Sequence, residues 1–195
     1  MGFGVLCFGT LLLFNVVYYR LTDIIMAAIL LYGLYKLSQI GKTFKFSYFS
    51  TYGFLALSLA ELALGALELF DPLFGMEELT VYTSALRAIA LGLVLIPLLL
   101  GMGGLGRELE VRSLADRCRT GIFLTVLALG VTFIASMPPL LSLFGDKVQL
   151  TLYLISLLGQ LLSASWVFLA VYKSYANICM PENNTASKQK TKKDK

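Results

Sequence analysis

Residues 81–102 read VYTSALRAIALGLVLIPLLLGM, an apolar run interrupted by a single charge at Arg87. At 1.5 Å per residue, a helix of this length covers the ~30 Å hydrocarbon core of a bilayer. A helix also satisfies its backbone hydrogen bonds within its own segment, as lipid requires. The run therefore predicts a transmembrane helix, and much of the chain repeats the same pattern.

The composition extends this interpretation to the whole chain. Of the 195 residues, 57% are hydrophobic and only 14% are charged, and the mean hydropathy is +0.78. A soluble domain of this size lacks the polar surface to cover so much apolar side chain. No ten-residue alternating pattern suggests a β-barrel. The predicted fold class is all-α, a polytopic transmembrane helical bundle, and the protein is expected to be a multi-pass integral membrane protein.

Six apolar stretches are candidates for membrane spans, and the second is the weakest. Its apolar run breaks at Lys36, so it spans only if that lysine snorkels toward the headgroups. A five-span alternative, in which the first 40 residues dip in and out of the membrane, stays open. Residues 20–23 are predicted to form a tight turn in which Thr22 or Asp23 N-caps the second span. The predicted spans are residues 2–19, 24–40, 47–70, 81–102, 120–137 and 150–172.

Basic residues are concentrated in alternate connections. Of the 16 Lys and Arg residues, 13 lie in segments 36–46, 103–119 and 173–195. By the positive-inside rule both termini are cytoplasmic, and a bacterial plasma membrane is the expected location. Residues 1–175 are interpreted as one transmembrane domain, followed by a disordered basic tail over 176–195. The tail is expected to contact anionic lipid, and no nucleic-acid partner is indicated.

Several polar residues inside the spans share helix faces. Ser58, Glu61 and Glu68 lie on one face of the third span, and Ser84 and Arg87 lie on one face of the fourth. A charge near the bilayer core costs ~2.5–3.5 kcal/mol on insertion scales, so such residues usually face a partner or a wet cavity. The spacing therefore predicts that these faces turn toward the interior of the bundle.

Depth along the helices brings the charged residues together. Glu68 lies ~3 Å, Arg87 ~9 Å and Glu61 ~13 Å below the outer end of their spans. The excess carboxyl would tend to hold a proton in an apolar site, as a proton-coupled transporter requires. Gln160, near mid-membrane in the sixth span, is predicted to form the floor of a polar cavity in the outer half. The candidate substrate-binding or ion-binding residues are Glu61, Arg87, Glu68, Ser58, Ser84 and Gln160.

The residue types available argue against several kinds of enzyme. The chain contains no histidine, which removes HExxH metalloproteases and Ser-His catalysis. Its cysteines form no CxxC pair. Glu61 and Glu68 beside an arginine would make a poor metal cage. The sequence thus predicts no catalytic residue, no metal site and no cofactor.

Residues 107–119 are interpreted as a charged helix with a partial apolar edge. Such a helix would lie on the inner leaflet or dock a cytoplasmic partner. The partners indicated by sequence are therefore the lipid bilayer itself and a cytoplasmic protein at this segment.

Two function classes are compatible with these features. The first is a small transporter, or the substrate-binding membrane subunit of one, with a polar site in the outer half of the bundle. The second is a non-transporting scaffold, assembly factor or accessory subunit, in which the Glu61–Arg87 pair fastens two helices.

Overall fold

In a computed structural model of the protein, residues 2–14, 19–70, 77–137 and 144–179 are described, and every regular element within these ranges is a helix. The all-α fold class is confirmed for these residues. The helices are α1 (Gly2–Leu11), α2 (Tyr19–Leu37), α3 (Lys42–Phe70), α4 (Glu77–Glu108), α5 (Arg112–Ala135) and α6 (Asp146–Cys179), with a 3₁₀ turn at Leu12–Phe14.

The helices form a closed ring. Each helix packs against the next one in the chain, and α6 returns to pack against α1. Helix α4 also contacts α6 across the ring. Because α1 and α6 close the ring, residues far apart in sequence share one interior.

The number of membrane-spanning helices needs correction. Among the described residues, four helices are long and apolar enough to cross a membrane, through Lys42–Leu67, Ala85–Glu108, Arg112–Ala135 and Lys147–Ile178. This is fewer than the six spans predicted from the sequence, and fewer than the alternative of five. Of the predicted first span, residues 2–19, the structure describes the ten residues of α1, which cover only about 15 Å, and a 3₁₀ turn at Leu12–Phe14; residues 15–18 lie outside the described part of the chain.

Helix α2 falls short for a different reason. It has 19 residues and includes three charged ones, Arg20, Asp23 and Lys36. The predicted turn over residues 20–23 was wrong, because the helix already begins at Tyr19. Asp23 therefore lies one turn inside α2 and does not cap its start.

The outer surface of the ring is apolar. Phe8, Phe123 and Leu162 are each more than 60% exposed, and all six helices carry large exposed hydrophobic side chains. Soluble monomers rarely expose such continuous apolar area. Together with the long apolar helices, this surface indicates a multi-pass membrane protein.

One half of the interior is a densely packed apolar core. It is built where α1, α3 and α5 begin and where α2, α4 and α6 end. Nearly all of its large side chains are fully buried, among them Phe3, Leu6, Leu34, Phe44, Leu98, Met102, Leu114, Val167 and Val171. We refer to this end of the helical bundle as the apolar half and to the opposite end as the polar half.

The end of the bundle at α6 differs from the predicted domain boundary. Helix α6 continues to Cys179, so residues 176–179 of the predicted tail are helical. Residues 180–195 lie outside the described part of the chain.

Glycines set the closest approach between α3 and α4 in the apolar half. A Cβ on Gly101 would lie 2.8 Å from Phe44 Cζ and 2.9 Å from Thr43 Oγ1. Three residues further along α4, a Cβ on Gly104 would meet nothing within 4 Å. Gly101 and Gly104 thus allow the same substitution to be compared at a crowded and at an open position of one helix.

We expect Gly101→Ala to destabilise the protein by about 1–3 kcal/mol, because overpacking a closed core forces neighbouring side chains and backbone to move. Gly104→Ala should be neutral or stabilising by up to about 1 kcal/mol, because alanine is the better helix former. An unfolding titration with SDS in mixed micelles measures both. Equal effects of the two substitutions would contradict the close approach at Gly101.

Candidate functional site

The centre of the polar half is an ion pair between α4 and α2. Arg87 Nε donates a hydrogen bond to Asp23 Oδ2. The Asp23 side chain is 9% exposed, whereas that of Arg87 is 23% exposed. The two charged groups are therefore paired, and the Arg87 side chain remains partly exposed.

Asp23 is the functional candidate that the sequence analysis missed. Asp23 was predicted to lie in a tight turn before the second span, as a possible N-cap, where a carboxylate needs no charged partner. Extending the second span by one turn toward the N-terminus would have brought Asp23 inside the helix. At that depth an ionised side chain calls for a partner of opposite charge, and this is the signal that could have identified it.

Glu61 of α3 is the second carboxylate near Arg87. Its Oε2 is 4.0 Å from Arg87 Nε, and its side chain is 4% exposed. The structure thus brings Glu61 and Arg87 together, as their depths suggested. The described part of the cluster also contains Asp23, which the sequence had not suggested as a partner of Arg87.

A cavity of about 340 Å³ opens beside this cluster. It lies between the start of α2, the first half of α4, and the facing parts of α5 and α6. Arg87 and Asp23 contribute to one wall, and Gln160 lies on another. The lining residues are Leu12, Leu13, Asp23, Met26, Arg87, Ala88, Leu91, Leu95, Thr125, Ala128, Leu129, Thr132, Gln160, Ser163 and Ala164.

The six sequence-predicted residues divide into three groups. Arg87 and Gln160 line the cavity, whereas Glu61 lies next to Arg87 and does not line it. Ser58 is fully buried, and its hydroxyl donates to the Phe54 carbonyl oxygen at 2.9 Å within α3. The side chains of Glu68 and Ser84 lie outside the part of the chain that the structure describes.

Helices α5 and α6 face the cavity with a ladder of uncharged polar groups. Thr125 Oγ1 and Ser163 Oγ share a hydrogen bond of 2.9 Å. Farther along the same two helices, Gln160 Nε2 of α6 donates to Thr132 Oγ1 of α5 at 2.9 Å. Thr132 Oγ1 also lies 2.8 Å from Ser156 Oγ. These bonds fix the Gln160 side chain at the cavity wall, because its amide nitrogen is held by α5.

The apolar half closes the cavity at one end. Leu95 lines the cavity, while Leu98, Leu99 and Met102, one and two turns further along α4, are fully buried. A polar ligand in the cavity would therefore meet a closed apolar core before it reached the opposite end of the bundle.

Residues 107–119 do not form the single charged helix that the sequence predicted. Helix α4 ends at Glu108, and α5 begins at Arg112. Between them Glu110 has a positive φ of 55°, and Val111 N donates to the Gly106 carbonyl oxygen at 2.7 Å. These features are typical of a helix C-terminus that reverses direction. The segment is therefore a helical hairpin end, and its charged residues are carried by the ends of two long helices.

The described residues contain no group of three or more Cys, Asp or Glu side chains able to hold a metal ion. The cavity lining supplies one carboxylate, one guanidinium, hydroxyls and one amide. These groups bind by charge and hydrogen bonds. The arrangement can hold and orient a small molecule, and it places no activated nucleophile against it.

Comparisons of the chain with models of known protein families, with curated proteins and with solved structures find no match.

Proposed function

We propose that the protein is a small transporter, or the substrate-binding membrane subunit of one, whose binding site is the cavity in the polar half. The observation that carries the proposal is the cavity wall itself, where an ion pair faces a hydrogen-bonded ladder across about 340 Å³. Small-molecule sites are typically apolar clefts of about 300–1,000 Å³ with a few well-placed polar groups. Apolar residues such as Leu91 and Leu95 complete that pattern here.

The position of the charges favours binding over fastening alone. Ionisable groups within membranes usually mark substrate or ion pathways. An ion pair that only held helices together would not need to line a cavity. Arg87 instead keeps 23% of its side chain exposed and lines the cavity.

We further propose an orientation for the bundle in the membrane. By the positive-inside rule, the basic connections favour a cytoplasmic location for both termini. The polar half then faces outward and the apolar half faces the cytoplasm. In a bacterial plasma membrane, the cavity would collect its ligand from the outside, and the hairpin end around residues 107–119 would be available to a cytoplasmic partner.

A scaffold or accessory subunit is the second candidate, and one observation favours it. Arg87 and Asp23 join α4 to α2 across 64 positions in the chain. The ladder between α5 and α6 likewise joins two helices. In this alternative the polar groups specify how the helices pack, and the cavity would bind nothing.

A cavity-filling variant separates the two candidates. Ala164 is 4% exposed and lines the cavity, so we expect Ala164→Phe to occupy much of its volume. Ala63, exposed on α3, provides the matched control Ala63→Phe. The protein in nanodiscs is screened against a panel of small metabolites by thermal unfolding, since a ligand at about 100 times its Kd stabilises the folded state by about 2.7 kcal/mol.

The binding proposal requires that at least one metabolite stabilises the native protein and Ala63→Phe. Its Kd should rise at least tenfold in Ala164→Phe. If no metabolite stabilises the native chain, or if binding survives in Ala164→Phe, the cavity is not a binding site and the scaffold alternative is favoured.

A further inference from the structure

A second cavity, of about 400 Å³, lies between the end of α4 and the start of α5. We call it the hairpin groove, because the two helices are joined beside it by the turn at Glu110. No described residue lines both this groove and the cavity in the polar half. The groove therefore has to be explained separately.

A glycine sets the close contact at the base of the hairpin groove. A Cβ on Gly103 of α4 would lie 3.2 Å from Cys118 Cβ of α5, and the Cys118 side chain is buried. Both residues line the groove. The two helices thus touch at this level, and no large side chain fills the space outside the contact.

Two arginines lean toward each other across the groove. Arg107 of α4 and Arg119 of α5 both line it. Arg107 Nε donates a long hydrogen bond of 3.4 Å to the Gly103 carbonyl oxygen, so its side chain folds back along α4, away from the turn. Long helical side chains point toward the N-terminus of their helix. In α5 this direction is toward the turn, so Arg119, which follows Cys118, leans toward Arg107.

The described lining of the groove carries one more positive than negative charge. Asp116 is the acidic residue among the described lining residues, and no ion pair between described side chains involves Asp116, Arg107 or Arg119. Both arginines are exposed. Guanidinium groups bind phosphate oxygens through two parallel hydrogen bonds. A phosphodiester with a single negative charge is thus the complement of this lining.

The other end of the groove is apolar and open to the outer surface of the bundle. Leu99, Leu100 and Ile122 line this end, and Leu100 is 46% exposed. A ligand whose phosphate lay at the arginines could therefore extend an aliphatic chain past Leu100 into the surrounding lipid. This combination of groups fits a phospholipid better than a soluble phosphate.

Helix lengths place the groove at the level of lipid headgroups. Helix α4 has 32 residues and is about 48 Å long, whereas the hydrocarbon core is about 30 Å thick. Its ends therefore extend into the headgroup region. Arg119 lies about 10 Å from the start of α5 at Arg112, a depth from which a long basic side chain can reach the headgroups.

From these observations we infer that the hairpin groove binds the headgroup of an anionic phospholipid. Its phosphodiester would lie between Arg107 and Arg119, and one acyl chain would run past Leu100. Basic pockets between transmembrane helices on the cytoplasmic side are known to bind anionic headgroups, and the positive-inside rule favours that side for this hairpin. The inference is independent of the proposed function, since the cavity in the polar half is not involved.

Three probes test the inference on the full native chain in detergent micelles: dioleoylphosphatidylglycerol, dioleoylphosphatidylcholine and glycerol 3-phosphate. Native mass spectrometry measures the Kd of the first bound molecule of each. Phosphatidylglycerol should bind about tenfold more tightly than phosphatidylcholine, because only its headgroup carries a net negative charge. Glycerol 3-phosphate, which has no acyl chain, should bind more weakly than phosphatidylglycerol. Equal binding of the two lipids would overturn the inference and leave the hairpin to a cytoplasmic protein. Glycerol 3-phosphate binding as tightly as phosphatidylglycerol would also overturn it, in favour of a soluble phosphate.

A double variant then locates the bound lipid. In Arg107→Gln, Arg119→Gln the Kd of phosphatidylglycerol should rise about tenfold, because both positive charges of the groove are removed. The matched control is Lys42→Gln, Arg112→Gln. It removes two positive charges from exposed residues at the same end of the bundle that do not line the groove, and its Kd should stay close to that of the native chain. Unchanged binding in the groove variant, or equal weakening in both variants, would show that the lipid does not bind in the groove.

Discussion

Arg87→Met is expected to be among the most damaging single substitutions in the protein, with a loss of about 3–5 kcal/mol in the free energy of unfolding. Removing one partner of a buried ion pair leaves uncompensated charge inside the protein. Here it leaves Asp23, whose side chain is only 9% exposed, without the donor of its hydrogen bond, and it removes the cation that lies 4.0 Å from the buried Glu61 carboxylate. SDS titration in mixed micelles measures the loss.

The acidic partners provide the controls. Asp23→Asn should cost less than Arg87→Met, because Glu61 remains 4.0 Å from the guanidinium. The triple variant Arg87→Met, Asp23→Asn, Glu61→Gln should recover most of the lost stability, since replacing a whole buried ionic group can be close to neutral. An Arg87→Met protein as stable as the native chain would show that the cluster is well hydrated and that the pairing carries little energy.

Phe44→Ala is expected to cost about 3 kcal/mol, the second large effect. Phe44 is 2% exposed, packs edge-on against Phe3 with ring centroids 6.4 Å apart, and fills the space opposite Gly101. Truncating a buried phenylalanine removes its contacts and leaves a void, at about 3–5 kcal/mol. The lower end applies because the unfolded reference in a membrane keeps the side chain in lipid and not in water.

Phe46→Ala is the matched control for this prediction. Phe46 lies two residues further along α3 and is 54% exposed, so its ring faces outward and its removal leaves no internal void. We expect a change within about 0.5 kcal/mol. Similar losses for the two variants in the same SDS titration would mean that Phe44 is not enclosed by α1 and α4.

Arg87 and Phe44 lie in different halves of the interior of the bundle. The apolar half is stabilised by close packing, and its tolerance for substitution is low. The polar half is stabilised by charge pairing and hydrogen bonds, which leave room for a cavity. A stable closed half beneath an open polar half is the arrangement that a binding site in a membrane needs, because the ligand site can stay polar while the bundle stays intact.

The sequence predicted the general architecture well where long apolar runs carry the signal. The predicted span 81–102 falls within α4, and the predicted span 120–137 falls within α5 except for its last two residues, since α5 ends at Ala135. A run of about 20 apolar residues in a helix is long enough to cross a bilayer. The first 40 residues were predicted less well. Ten residues of α1 and the charged α2 are packed into the ring by their neighbours, and no local pattern shows how many of them cross a membrane.

Within the candidate site, helical spacing placed Glu61 and Arg87 on interior faces, and the structure sets them side by side. Gln160 was also predicted to face inward, and it lines the cavity. Asp23 was not predicted as a partner, because its assignment to a turn hid the need for one. The structure divides residues 107–119 between two helices at Glu110, whose positive φ is a detail of backbone geometry that composition does not reveal.

By itself, the sequence determined that the described chain is helical, that its surface is apolar and that an arginine and a glutamate lie on interior helix faces. These properties depend on residue type and on the 3.6-residue period, both of which are local. Only the tertiary structure decided that Asp23 is the partner of Arg87 and that a cavity separates this pair from Gln160. Both depend on closure of the ring, which brings together helices whose residues lie tens of positions apart, and no local pattern encodes that closure.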